Sequence, residues 1–135
     1  MTWNPAASDL FTGWLDQPVS VEGQQTVPNL LRFVFLSPMA RDFVDDWEAR
    51  ARRICAEFRA DCRTRMEDAT LQRLIDELTQ DSPEFTRFWK QHDVLERQGG
   101  LRGFHHPKRG WVIYRQFTLH PVEQEHLKLV LLKQV

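Results

Sequence analysis

The stretch Gly99-Gly100-Leu101-Arg102-Gly103-Phe104-His105-His106-Pro107-Lys108-Arg109-Gly110-Trp111-Val112-Ile113-Tyr114-Arg115-Gln116-Phe117-Thr118-Leu119 decides the fold. Before it, apolar residues recur at steps of three and four; after the glycine pair they recur at steps of two. Strands are therefore predicted over 101–106, 110–119 and 126–133, and their short connections make neighbours antiparallel. Pro107-Lys108-Arg109-Gly110 suits a tight turn, with proline fixing φ and glycine closing it. His105 and His106 then leave opposite faces of the sheet and do not share a metal. In the middle strand Trp111, Ile113, Phe117 and Leu119 share one face with Arg115, which is expected to be the covered one. Val112, Tyr114, Gln116 and Thr118 take the other.

Upstream, Ser8 or Asp9 is expected to cap a short first helix. The span 16–26 is polar and broken by Pro18 and Gly23, so it reads as a loop. Leu30, Leu31, Phe33, Val34, Phe35 and Leu36 form a segment apolar enough to be central. Ser37-Pro38 restarts the chain as one long helix, with Ala40, Phe43, Val44, Trp47, Ala51, Ile54, Cys55, Phe58 and Cys62 on its inner face. Its other face mixes arginines with carboxylates, as a solvated surface does. The two cysteines are read as buried thiols on that helix, since about 10 Å of axial rise separates them. Asp68 caps a third helix with Leu71, Leu74, Ile75 and Leu78 inward. Ser82-Pro83 starts a fourth, which carries Phe85, Phe88 and Trp89. Helices followed by an antiparallel meander predict one α+β domain over residues 1–135, with the helices on one face of a small sheet.

Composition excludes several functions. A net charge of −1 is too small for bulk attraction to nucleic acid, and no apolar run approaches the ~20 residues that span a bilayer. The first residues lack the pattern of a signal peptide, so the cytoplasm is expected. No nucleophile elbow, phosphate-cradling glycine loop or zinc-type ligand pair is present. The chain is therefore read as no enzyme, with no metal and no cofactor. Arg115 is the residue out of place: a guanidinium on a covered face needs an anionic partner. Asp46 or Glu77 could supply it from a helix, or the carboxylate of an amphipathic ligand could.

Several ordered pieces carry a resemblance: Trp3-Asn4 with Ala6-Ala7, Asn29-Leu30-Leu31-Arg32, Asp46-Trp47-Glu48 and Leu74 to Glu77-Leu78. Ser82-Pro83-Glu84-Phe85 to Trp89, His92-Asp93-Val94 and His106-Pro107 with Gly110 complete the set. In that order the chain resembles the ligand-binding domain of MmyB-like transcription regulators. The resemblance implies a PAS-like fold that receives a fatty-acid-like amphipathic molecule. It also implies a bacterial regulator of the XRE type, whose DNA contact runs through an N-terminal helix-turn-helix domain absent here along with most of the first strand. The shortened strand is expected to leave a sheet edge that favours a homodimer.

Nine Phe and five Trp suit an apolar cavity for such a ligand. Burying its acyl chain at about 0.8 kcal/mol per methylene is worth roughly 10 kcal/mol before association costs of about 4–15 kcal/mol, which suits reversible sensing. Phe35, Phe43, Trp47, Phe85, Trp89, Ile113 and Phe117 are the expected walls, with Arg115 or His106 at the polar end. The rival reading is a ligandless dimerisation or protein-interaction module in which the same rings are solid core.

Overall fold

The computed structural model describes residues 1–16, 20–21, 24–25, 28–91, 100–124 and 126–135. Pro18, Gly23, His92-Asp93-Val94 and Gly99 lie outside the described residues.

Helix α1 (Pro5–Leu10) begins earlier than expected. Its cap is Asn4, whose side-chain oxygen accepts from the Ala7 amide at 2.9 Å, because Pro5 has no N–H to satisfy and fits the first turn. Ser8 instead accepts from the Trp3 indole at 2.9 Å. Two short strands, β1 (Ser20–Val21) and β2 (Gln24–Gln25), pair antiparallel within the expected loop. Helix α2 (Leu30–Leu36) is capped by Asn29 and buries Leu31, Phe33, Val34 and Phe35, the central position its composition demands.

The long helix expected from residue 38 is broken. Helix α3 (Pro38–Phe43) stops where Val44 turns extended, and α4 (Trp47–Cys62) begins after Asp46, which stands at φ 47°. A sheet contact wins over helical continuity here. Val44 bridges to Phe104, and the Asp45 amide donates to the Gly103 carbonyl at 3.1 Å. Helix α5 (Ala69–Asp81) has the expected Asp68 cap and buries Leu74, Ile75 and Leu78. Helix α6 (Pro83–Gln91) starts on Ser82, whose hydroxyl accepts from the Phe85 amide at 3.1 Å. Cys55 and Cys62 are free and buried on α4.

Strands β3 (Gly100–His106), β4 (Gly110–Leu119) and β5 (Leu129–Gln134) form an antiparallel sheet in the order β3-β4-β5. Six helices and this sheet make an α+β fold among the described residues. The register pairs His106 with Gly110, so residues 107–109 form the turn, and Gly110 takes φ 70°, which a glycine adopts without strain.

The helices cover one face of the sheet, and it is the opposite face from the one expected. Phe104, His106, Val112 and Tyr114 are buried against the helices. Arg115 is exposed, Phe117 keeps 45% of its surface and Ile113 is half-buried, so these three sit on the outward face. Both faces of β4 are apolar, and the more hydrophobic one is the uncovered one.

Candidate functional site

The helix side is a group of touching rings. Phe35 meets Trp47, Phe85 and Phe88 at centroid distances of 6.1, 5.2 and 6.4 Å, and Phe85 stacks on Trp89 at 5.4 Å. Phe43 belongs to a second group, stacked on Phe104 at 5.0 Å and edge-on to Phe11 at 5.7 Å. Helical spacing puts Phe85, Phe88 and Trp89 on one side of α6, where Phe35 of α2 and Trp47 of α4 complete the group. The expected walls thus divide. Phe35, Trp47, Phe85 and Trp89 come together, Phe43 sits with Phe104, and Ile113 and Phe117 lie across the sheet. Trp47 and Trp89 are only partly buried, each with an arginine carbon 4.3 Å from its ring, Arg41 and Arg59 respectively. These two indoles mark the margin of the apolar interior.

His106 is buried, but both of its nitrogens are engaged. Nδ1 accepts from the amides of Lys108 and Arg109, each at 3.1 Å. The proton therefore sits on Nε2, which donates to the Asp9 carbonyl at 2.9 Å. His106 clasps the turn to α1 and has no nitrogen left for a ligand head group. His105 faces outward, 3.3 Å from Asp45.

A cationic cluster that the sequence reading missed lies on the covered face of the sheet. Arg50 of α4 and Arg102 of β3 both donate to the side-chain oxygen of Gln116 on β4, at 3.4 and 3.0 Å. Gln116 is held in turn by its amide nitrogen, which donates to Thr118 at 3.1 Å. The second terminal nitrogen of Arg50, Nη1, is buried with no hydrogen-bond partner. Burial, then the nearby Arg102, pull the Arg50 guanidinium down to about 10. Burial likewise lowers Arg102, while Glu57 opposes the shift in both. On sequence alone Arg50 was one arginine among many on a charged helix face. Its signal was its placement three residues after Trp47 and four before Ile54, at the border of the apolar stripe.

β5 completes the covered face incompletely. Leu132 pairs with Gln116 and Val130 with Thr118, which puts both on the helix side. Yet Val130 is 51% exposed, against 7% for Phe104 and 8% for Val112 on the neighbouring strands. Leu132 packs against the ring cluster, and Lys128, just before β5, reaches Asp61 near the end of α4 at 2.6 Å. The result is an apolar strip, or seam, on the helix side of β5, which begins at Leu132 beside Gln116 and its two arginine partners and runs to the exposed Val130.

The outward face holds Leu101, Ile113, Phe117, Leu129 and Leu131, with Arg115 paired to Lys133 on the ladder. A shallow concavity of about 170 Å³ lies there, lined by Arg115, Phe117, Lys133, Gln134 and Val135. Glu77, a candidate partner of Arg115, instead holds Arg32 at 2.9 Å. Among the described residues, no three His, Cys, Asp or Glu side chains gather into a metal-holding group. None of the described helices is long and apolar enough to cross a membrane.

Sequence comparison bears directly on this arrangement. The family model described as the MmyB-like transcription regulator ligand binding domain matches residues 1–133. The chain belongs to that family. No curated protein and no solved structure matches it. For an MmyB-like ligand-binding domain, the surfaces of interest are those that offer apolar area next to charge. The helix-side seam along β5 joins apolar surface to cations, and so does the outward concavity beside Arg115.

Proposed function

We propose that this domain senses a fatty-acid-like amphipathic molecule in the cytoplasm, in a PAS-like arrangement, and passes the signal to an N-terminal helix-turn-helix domain that contacts DNA. The observation that carries the reading is the uncovered helix-side surface of β5, where Val130 is 51% exposed beside the half-buried Leu132. An acyl chain laid along this seam would bury apolar surface that the helices leave wet. Phe35, Trp47, Phe85 and Trp89 belong to the core against which Leu132 packs, while Phe43 packs with Phe33 and Phe104 in the second ring group. Because the rings touch, the ligand fills the seam and does not enter a preformed hollow. Binding shifts populations of domain arrangements and so changes the spacing of the DNA-binding parts.

Titration with octanoate, decanoate and dodecanoate tests this. Each added methylene should strengthen binding about threefold to fourfold, as expected for roughly 0.8 kcal/mol of hydrocarbon burial. Affinity that ignores chain length, or no binding at all, would contradict it. Val130→Lys should weaken all three ligands together.

The rival reading, a dimerisation or interaction module without ligand, is favoured by the outward face. Leu101, Phe117, Leu129 and Leu131 are about half exposed there, and no described strand pairs with the free edge of β5. An edge strand with an apolar flank is a ready template for a second copy. The two readings use opposite faces of the sheet, so dimerisation through the outward face is compatible with ligand sensing, and only the ligandless part of the rival excludes it.

A further inference from the structure

The geometry points to Arg50 and Arg102 as the receptor for an anionic head group, a carboxylate, at the place where both donate to Gln116. This rests on the ligand-sensing reading and assigns the polar end of the same seam.

Two guanidinium groups from different elements converge on one neutral amide oxygen, at 3.4 and 3.0 Å. A neutral oxygen cannot compensate two cations. A carboxylate offers two oxygens and hydrogen bonds about twice as strong as neutral ones. The placement is costly to the fold. Arg50 buries Nη1 without a partner, and its charge is disfavoured first by burial and then by Arg102. Arg102 on β3 and Arg53 on α4 act against the Arg50 charge, Glu57 on α4 acts for it, and burial outweighs each of them. An added anion offsets that cost. Arg102 and Gln116 are only half-buried, so an anion has a way in. Leu132 stands beside Gln116 on the ladder and Val130 follows, which gives the hydrocarbon tail its direction.

Arg115, by contrast, is exposed on the outward face and serves as the control. Decanoate and decan-1-ol share a tail and differ in head charge. Wild type should prefer the acid by about tenfold or more. Arg50→Met and Arg102→Met should abolish that preference while the alcohol still binds, and Arg115→Gln should keep it. Arg50→Met should also raise Tm of the protein measured without added acid, because it removes a desolvated cation. An arginine with a purely structural role would lower it. Equal binding of acid and alcohol by wild type, or an acid preference that survives both arginine variants, overturns the head-group assignment and leaves the sensor reading standing. No binding of either probe overturns both.

Discussion

His106 shows how a residue can look catalytic in sequence and serve structure instead. Its ring joins the 107–109 turn to α1 through two accepted hydrogen bonds and one donated one. His106→Leu should therefore destabilise the domain by about 3 kcal/mol, since two amides and a carbonyl lose their partner, while acid binding per folded molecule stays unchanged. Chemical denaturation with a parallel titration checks both halves. Cys55 gives a second residue-level expectation. Burial pushes its thiol from 9.0 up to about 11, against a lowering pull from Arg59 and with a smaller push from Cys62. A raised thiol pKa makes the protonated form the stable one in the fold. Its contribution to stability is full below pH 9 and is lost as pH rises through 11. At pH 8 the thiolate fraction should be about a hundredfold below that of the unfolded chain, so iodoacetamide should label Cys55 slowly until denaturant is added. Rapid labelling of the folded protein would contradict this. The polar side of the site was the least legible part of the sequence. Arg115 stood out because it interrupts an apolar alternation, whereas Arg50 lies in an ordinary arginine-rich helix face. A period of two tells which residues share a face and not which face is covered.

At the scale of elements, local chemistry was highly legible. Asn29, Asp68 and Ser82 cap their helices with side-chain hydrogen bonds, and the 107–109 turn sets the register of β3 against β4. The break between α3 and α4 was not legible, because Val44 and Trp47 continue the helical spacing without interruption. Its cause is non-local. Residues 44–45 lie beside Gly103 and Phe104, covering that part of the β3 edge. Gly103 permits the approach, since a Cβ there would stand 2.9 Å from the Asp45 Cβ and 3.0 Å from the Trp111 indole nitrogen. Gly103→Ala should cost about 1–3 kcal/mol and loosen the α3–α4 junction. Faster hydrogen exchange at the Asp45 amide, which donates to Gly103, would be its signature. Unchanged exchange and stability would show that the close approach is unimportant.

For the molecule as a whole, the sheet is a partition with different work on each side. One side carries rings, the β5 seam and the desolvated arginines; the other carries an exposed apolar layer crossed by Arg115 and Lys133. If the outward layer and the free β5 edge join two copies, Leu131→Glu should turn a dimer into a monomer in sedimentation equilibrium, with acid binding kept. Loss of binding in a folded monomer would mean that the two faces do not act separately. The α+β class and the family were both readable from motif order. The sidedness of the sheet was not, because hydrophobicity ranks its faces in the wrong order. The most direct check on ligand sensing is native mass spectrometry of the domain, as purified and after incubation with decanoate. One fatty-acid-sized mass per chain, lost in Val130→Lys, is the predicted result; a bare polypeptide mass in both samples would contradict it.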